Sequence, residues 1–241
     1  MHASAMVLAA SLSTAASAGS ITAKITSYTN GYTASYNDGN TATDNWSVRG
    51  GAGVFEWQKV SGDPDEQVVM NPDGETFYTF CIEVVEHVRT NTNYTYDLVD
   101  PALAPERNRD LPAMGSAAAD LLAQWYGTYY QGVMDSNNTD QVQAFQIGVW
   151  EIVYETIAGG STLDNKNGAF KASANGATNL AQSWLTSSTW QTDGETLALI
   201  AMTNNGRQDQ LVVATPSPVA FVPGALGMMF LASRRRRRAA E

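Results

Sequence analysis

Apolar and polar side chains alternate at residues 21–26 and again at 32–36, which predicts two strands near the start of the chain. Asn37-Asp38-Gly39-Asn40 reads as the turn after the second. Residues 53–58 form another strand candidate. Asn71-Pro72-Asp73-Gly74 is a turn leading into 76–85, the most strongly strand-like stretch. The period then changes. Residues 113–130 carry Leu121, Leu122, Trp125 and Tyr126 at helical spacing. A second helix is predicted over 140–157, with Asp140 and Gln143 as a capping box and Gly159-Gly160 as its stop. A third is predicted over 175–190, and residues 196–202 and 210–214 return to strand. Strands, then helices, then strands implies an α+β fold: a β-sandwich or barrel with a helical insertion.

The two ends follow other rules. An apolar, small-residue run from Ala3 closes with Ala16-Ser17-Ala18, the pattern of a signal-peptidase site before Gly19, although an Ala-rich buried helix is the bland alternative. At the other end Thr215-Pro216-Ser217-Pro218 forms a stiff spacer. An apolar run from Val219 to Ala232 follows, and then five arginines from Arg234 to Arg238. A cationic cluster behind an apolar segment halts translocation. The run is shorter than the roughly 20 residues of a stable span, and Pro223-Gly224 interrupts it, so a transient inner-membrane anchor is expected. Spacer, short apolar helix and arginines together resemble the PEP-CTERM sorting tail of exported Gram-negative proteins, with Ser217 where that family's triplet usually has Glu. The resemblance implies that an exosortase-like protease removes the tail outside the cell. The expected organisation is a signal peptide over 1–18, one domain over 19–214, and a sorting tail over 215–241.

Without its ends the chain, from Gly19 to Ser233, carries 9 basic against 23 acidic side chains, a net charge of −14. Such a surface repels nucleic acid and favours cationic partners.

Chemistry centres on a single cysteine, Cys81. Alone, it pairs externally, stays a free thiol, or serves as a small buried hydrophobe. Alternation sets Tyr78, Phe80, Ile82 and Val84 on the apolar face of its strand, and Cys81 with Thr79 and Glu83 on the other. The second helix holds two oddities. Gln146 lies within the face formed by Val142, Phe145, Val149, Ile152 and Val153, where an unpartnered carboxamide costs about 1–3 kcal/mol. Gly148 costs about 1 kcal/mol relative to Ala, and its missing side chain is expected to admit a neighbouring strand. A thiol that attacks a glutamine carboxamide expels ammonia and leaves an intramolecular thioester, which would remove the buried amide.

Phe80-Cys81-Ile82-Glu83 and Gln146-Ile147-Gly148-Val149-Trp150 resemble the paired motifs of bacterial surface thioester domains. The resemblance implies that Cys81 and Gln146 form the bond, on a β-sandwich or barrel with a helical insertion. Trp150 would shield the thioester from water. An amine-bearing surface or matrix molecule, such as a lysine or polyamine, would be captured by single-use acyl transfer, with no turnover and no cofactor. Glu83 would assist proton transfer, unless it is simply an exposed strand carboxylate. Two other readings stand beside this one: a non-covalent module of the extracellular matrix, and a secreted hydrolase using carboxylates among Glu83, Glu86, Glu151 and Glu155. Those four are otherwise expected as solvated charges. His87 is the only histidine outside the leader, so neither a histidine metal cluster nor a Ser-His-Asp triad can be assembled.

Overall fold

The computed structural model describes residues 19–28, 32–36, 46–50, 53–62, 74, 76–84, 86–105, 112–173, 176–187, 190 and 196–214. The expected leader and sorting tail, with the expected processing positions Ala18, Pro216, Pro218 and Arg234, lie outside them.

Six strands close into an antiparallel barrel: β1 (Gly19–Tyr28), β4 (Val54–Gly62), β5 (Thr76–Cys81), β9 (Arg207–Val213), β8 (Leu199–Asn204) and β6 (Asn93–Val99), in that order around the ring. A second sheet pairs β3 (Trp46–Gly50), β2 (Tyr32–Tyr36) and β7 (Phe170–Ser173), again antiparallel. Between β6 and β8 the chain runs through α1 (Gly115–Asp135), α2 (Thr139–Ile157), β7 and α3 (Gly176–Leu185). The fold is therefore α+β, a barrel rather than a sandwich, with the helices inserted in sequence between its strands.

Side-chain alternation divides the core in two. Ile21, Ala23, Ile25, Trp57, Phe77, Cys81, Tyr96, Leu98 and Met202 fill the barrel interior. Phe80, Ile82, Ala201 and Leu211 point outward from β5, β8, β9 and the segment after β5, and are covered by Trp125, Tyr126, Phe145, Val149 and Ile152 of α1 and α2. Helix α2 serves both cores. Its Ala144, Ile147, Trp150 and Tyr154 join the interior cluster, while its Val142, Phe145, Val149 and Val153 join the outer one. Every residue of α2 from Val142 to Glu155 is buried, so the expected single apolar stripe understates how deeply this helix sits.

Several boundaries differ from expectation. The Cys81 strand ends at Cys81 rather than continuing to residue 85, because a side chain takes over the pairing there. Phe80 and Ile82 share a face opposite Cys81, as the alternation predicts, and that face is the outer one; Tyr78 is 38% exposed, and Val84 leaves the common face for the interior cluster. The cap of α2 is Asn138, whose carboxamide accepts from the Asp140 and Gln141 amides; Asp140 is inside the helix. Helix α1 runs five residues beyond Tyr130, and α3 stops at Leu185.

Candidate functional site

The end of β5 and the middle of α2 meet at the seam between the two cores. β5 pairs with β4 up to Val54↔Phe80, and with β9 through Phe80↔Leu211 and Cys81↔Gln210. The Ile82 amide then donates to Asp209 at 3.0 Å. Backbone groups alternate in direction along a strand, so Cys81 turns its own N–H and C=O to the other side, beyond the Val54↔Phe80 end of the β4 pairing. Gln146 fills that place. Its Oε1 accepts from the Cys81 N–H at 3.0 Å, and its Nε2 donates to the Cys81 C=O at 2.7 Å. The carboxamide thus acts as a one-residue strand. The Cys81 thiol also donates to Oε1, at 3.4 Å. Both side chains are fully buried.

Burial pushes the Cys81 thiol well above its ordinary pKa, and the Glu83 carboxyl adds to the rise; Cys81's own amide and the Trp150 indole draw it partly back. The thiol is therefore uncharged at rest. Trp150, 2% exposed, packs its ring 6.0 Å from that of Phe170. On the outer side Tyr126 is wedged between Phe80 and Phe145, the residues just before Cys81 and Gln146, at ring separations of 6.2 and 4.9 Å. Its hydroxyl is buried without a hydrogen-bond partner.

Glu83 is not an exposed strand carboxylate. It is 2% exposed, and its Oε1 accepts from the Asp209 amide at 3.0 Å. Burial first, then the neighbouring Asp209 and Glu86 carboxyls, push its pKa up to about 9, so it holds a proton at neutral pH. It closes a polar belt through the barrel. Trp57 Nε1 donates to Thr79, Thr79 to Gln210, Gln210 to the Gln208 carbonyl, and Gln208 to the Glu83 carbonyl, at 2.8, 2.9, 3.2 and 2.8 Å.

Gly148 does not receive a strand. A methyl at its Cα would overlap the six-membered ring of Trp125 from α1. The missing side chain lets that indole lie on the α2 backbone, where its Nε1 donates to the Phe145 carbonyl at 3.3 Å. This contact fixes the height of α2, and with it the position of Gln146.

Glu151 and Glu155 have structural partners rather than solvent, and Glu86 is half-buried beside Glu83. Glu151 accepts from the Asp164 amide at 2.6 Å and Glu155 from the Ala169 amide at 2.7 Å, so together they hold the loop after α2. Burial lifts Glu151 to about 8. Neither arrangement presents a pair of free carboxyl groups to a substrate. His87 is exposed. Among the described residues no cluster of three or more His, Cys, Asp or Glu side chains is placed to hold a metal, and no helix is long and apolar enough to cross a membrane.

The belt, Tyr126 and the Trp125–Gly148 contact were missed by sequence reasoning. Only Gly148 left a signal, as a glycine inside a helix. No protein-family model, curated protein or solved structure matches the chain.

Proposed function

We propose that this is an exported surface or matrix protein that captures an amine-bearing partner through a thioester between Cys81 and Gln146. The observation that carries the reading is the clamp itself: a buried thiol and a buried carboxamide held together by two further hydrogen bonds through the cysteine backbone. Export rests on the two sequence ends.

The chemistry follows from the contacts. As Sγ bonds to the Gln146 carbonyl carbon, negative charge develops on Oε1, where the Cys81 N–H already donates at 3.0 Å. The thiol proton passes to Nε2, the C–N bond breaks, and ammonia leaves. Protonated Glu83, two residues along the chain, is suited to relay that proton. In the second step a partner amine attacks the carbonyl carbon, the C–S bond breaks, and a proton from the amine restores the thiol. The net result is one amide bond to residue 146 per molecule, without turnover.

Intact-mass measurement of the purified protein, made without reductant beside Cys81→Ala, tests this. The wild type should be lighter by one ammonia than its sequence requires, and methylamine should replace that deficit with its own mass. The variant should show neither change. A wild type of unmodified mass, with Cys81 alkylated only on unfolding, overturns the thioester and leaves a non-covalent matrix module in which the clamp is a ladder bond.

A further inference from the structure

Where the loop after α2 passes between α2 and α3, two oxygens are buried with no hydrogen-bond partner: Oε2 of Glu151 and Oδ1 of Asn165. Both side chains are fully buried. An ionised carboxylate and an amide carbonyl are both acceptors, so neither can satisfy the other without a proton. We propose that Glu151 supplies it: its neutral carboxyl donates from Oε2 to Asn165 Oδ1, a latch that holds residues 158–169 on α2 and releases them when the carboxyl ionises. The inference goes beyond the thioester reading and stands without it.

The contacts set the two side chains on either side of one backbone step. Glu151 reaches from α2, and its Oε1 accepts from the Asp164 amide at 2.6 Å. Asn165, the next residue, is held from α3. Its amide donates to Gln182 Oε1 at 3.0 Å, and its Nδ2 to the Thr178 carbonyl at 3.2 Å. A carbonyl takes only a donor, so the Asn165 carboxamide cannot be turned over, and Oδ1 faces away from Thr178. The Asn165 carbonyl accepts from the Ala172 amide at 2.9 Å, which ties the same residue to β7. A buried acceptor left alone costs about 1–3 kcal/mol, and here there are two in one place. One proton answers both.

Charge keeps that proton on Glu151 at neutral pH. Burial is the largest cause of its raised pKa, and the Glu155 and Asp164 carboxyls add to it, giving about 8. Asp164 is committed to its charge, since the Asn167 carboxamide above all holds it below the ordinary carboxylate range. The nearby cations are engaged or distant: Lys166 gives its ammonium to Asn179 at 2.7 Å, and Lys171 is exposed on β7. Helix α3 has no titratable side chain. A folded pKa raised above 4.5 means that the bond is present below it and is lost as pH rises through about 8. Ionisation then sets a carboxylate against both Asn165 Oδ1 and Asp164. The freed loop leads directly into β7, whose Phe170 stacks on Tyr154 at 5.9 Å.

Limited trypsin digestion read at Lys166, which is exposed within the loop, tests the proposal, with each rate divided by that of a short lysine peptide at the same pH. In the wild type the divided rate should rise about tenfold from about pH 7 to about pH 9, as the neutral fraction of Glu151 falls. Glu151→Gln keeps a donor for Asn165 and cannot ionise, so its rate should stay at the wild-type neutral level throughout. A flat wild-type rate, or a Glu151→Gln rate that climbs as the wild type does, overturns the latch. Carbon NMR of the wild type needs no variant: the Glu151 carboxyl should titrate between about pH 7 and about pH 9, and the Asn165 carboxamide carbon should move with the same midpoint. A Glu151 carboxyl that titrates below about pH 6 overturns the proposal, and an Asn165 carboxamide that does not move overturns the choice of partner.

Discussion

Gly148→Ala should destabilise the protein, against the ordinary preference of a helix. In an exposed helix this change gains about 1 kcal/mol. Here the added methyl falls inside the Trp125 indole. That ring has little room to retreat: it is fully buried, with ring centroids 4.7 Å from Tyr129, 5.2 Å from Trp190 and 5.8 Å from Phe145. It is also tied to the Phe145 carbonyl. Overpacking a closed core costs about 1–3 kcal/mol, and the upper end applies where neither side yields. The expected net loss is about 2 kcal/mol after the helix gain, read as a lower urea midpoint at unchanged slope. The decisive assay is a double-mutant cycle with Trp125→Phe, because the smaller ring lacks some of the overlapped atoms. The loss from Gly148→Ala should shrink by at least about 1 kcal/mol in that background. Strict additivity, or a stabilising Gly148→Ala, would refute the claim that α2 is seated by this contact.

Two further predictions concern protons. Glu83 and Glu151 have folded pKa values raised from 4.5 to about 9 and about 8. Between those limits the native state holds protons that the unfolded chain releases, so stability should fall as pH rises, by up to about 1.4 kcal/mol per pH unit for each group; Glu83→Gln should flatten part of the slope in urea titrations, and a stability that rises from about pH 5 to 8 contradicts both assignments. Gln146→Glu should abolish the ammonia deficit and make stability fall as pH rises above about 4.3, because the oxygen facing the Cys81 carbonyl must carry a proton to donate as Nε2 does. Unfolding midpoints that do not depend on pH beyond the wild-type trend would show that the clamp does not need that donor.

The sequence carried the parts of the fold that have a clean period. β1, β4 and the helices were legible because alternation or a 3.6-residue repeat marks each one. β6 carries an equally legible signal: Tyr94, Tyr96 and Leu98 are buried while Asn93, Thr95 and Asp97 are exposed, a plain alternation. The end of β5 was not legible. Residues 79–84 are buried on both faces, so composition gives no reason to stop at Cys81; the strand stops because a glutamine 65 residues away replaces the next rung. Glu83 misled for a related reason. A carboxylate after a strand reads as solvated, and only the closed barrel brings Asp209 and Gln208 to it from β9. The choice between barrel and sandwich likewise depended on β1 reaching both β4 and β6, a long-range pairing that local pattern does not encode.

The same burial that brings the thiol and carboxamide together also sets what the bond would be for. A thiol kept neutral by its surroundings is a poor nucleophile toward outside reagents, so Cys81 has little use as a free reactive group. Among the described residues its electrophilic neighbour is the carboxamide that its own backbone orients. Once formed, a thioester in this place would face two fates. Attack by an amine restores an amide at residue 146, whose nitrogen still reaches the Cys81 carbonyl, so the ladder bond survives the reaction. Attack by water leaves a carboxyl group that must stay protonated to make the same bond. Capture by an amine is thus compatible with the packed interior at neutral pH, and hydrolysis works against it. On the proposed reading the interior would favour capture over loss of the bond, which is what a covalent capture device needs and a simple structural crosslink does not.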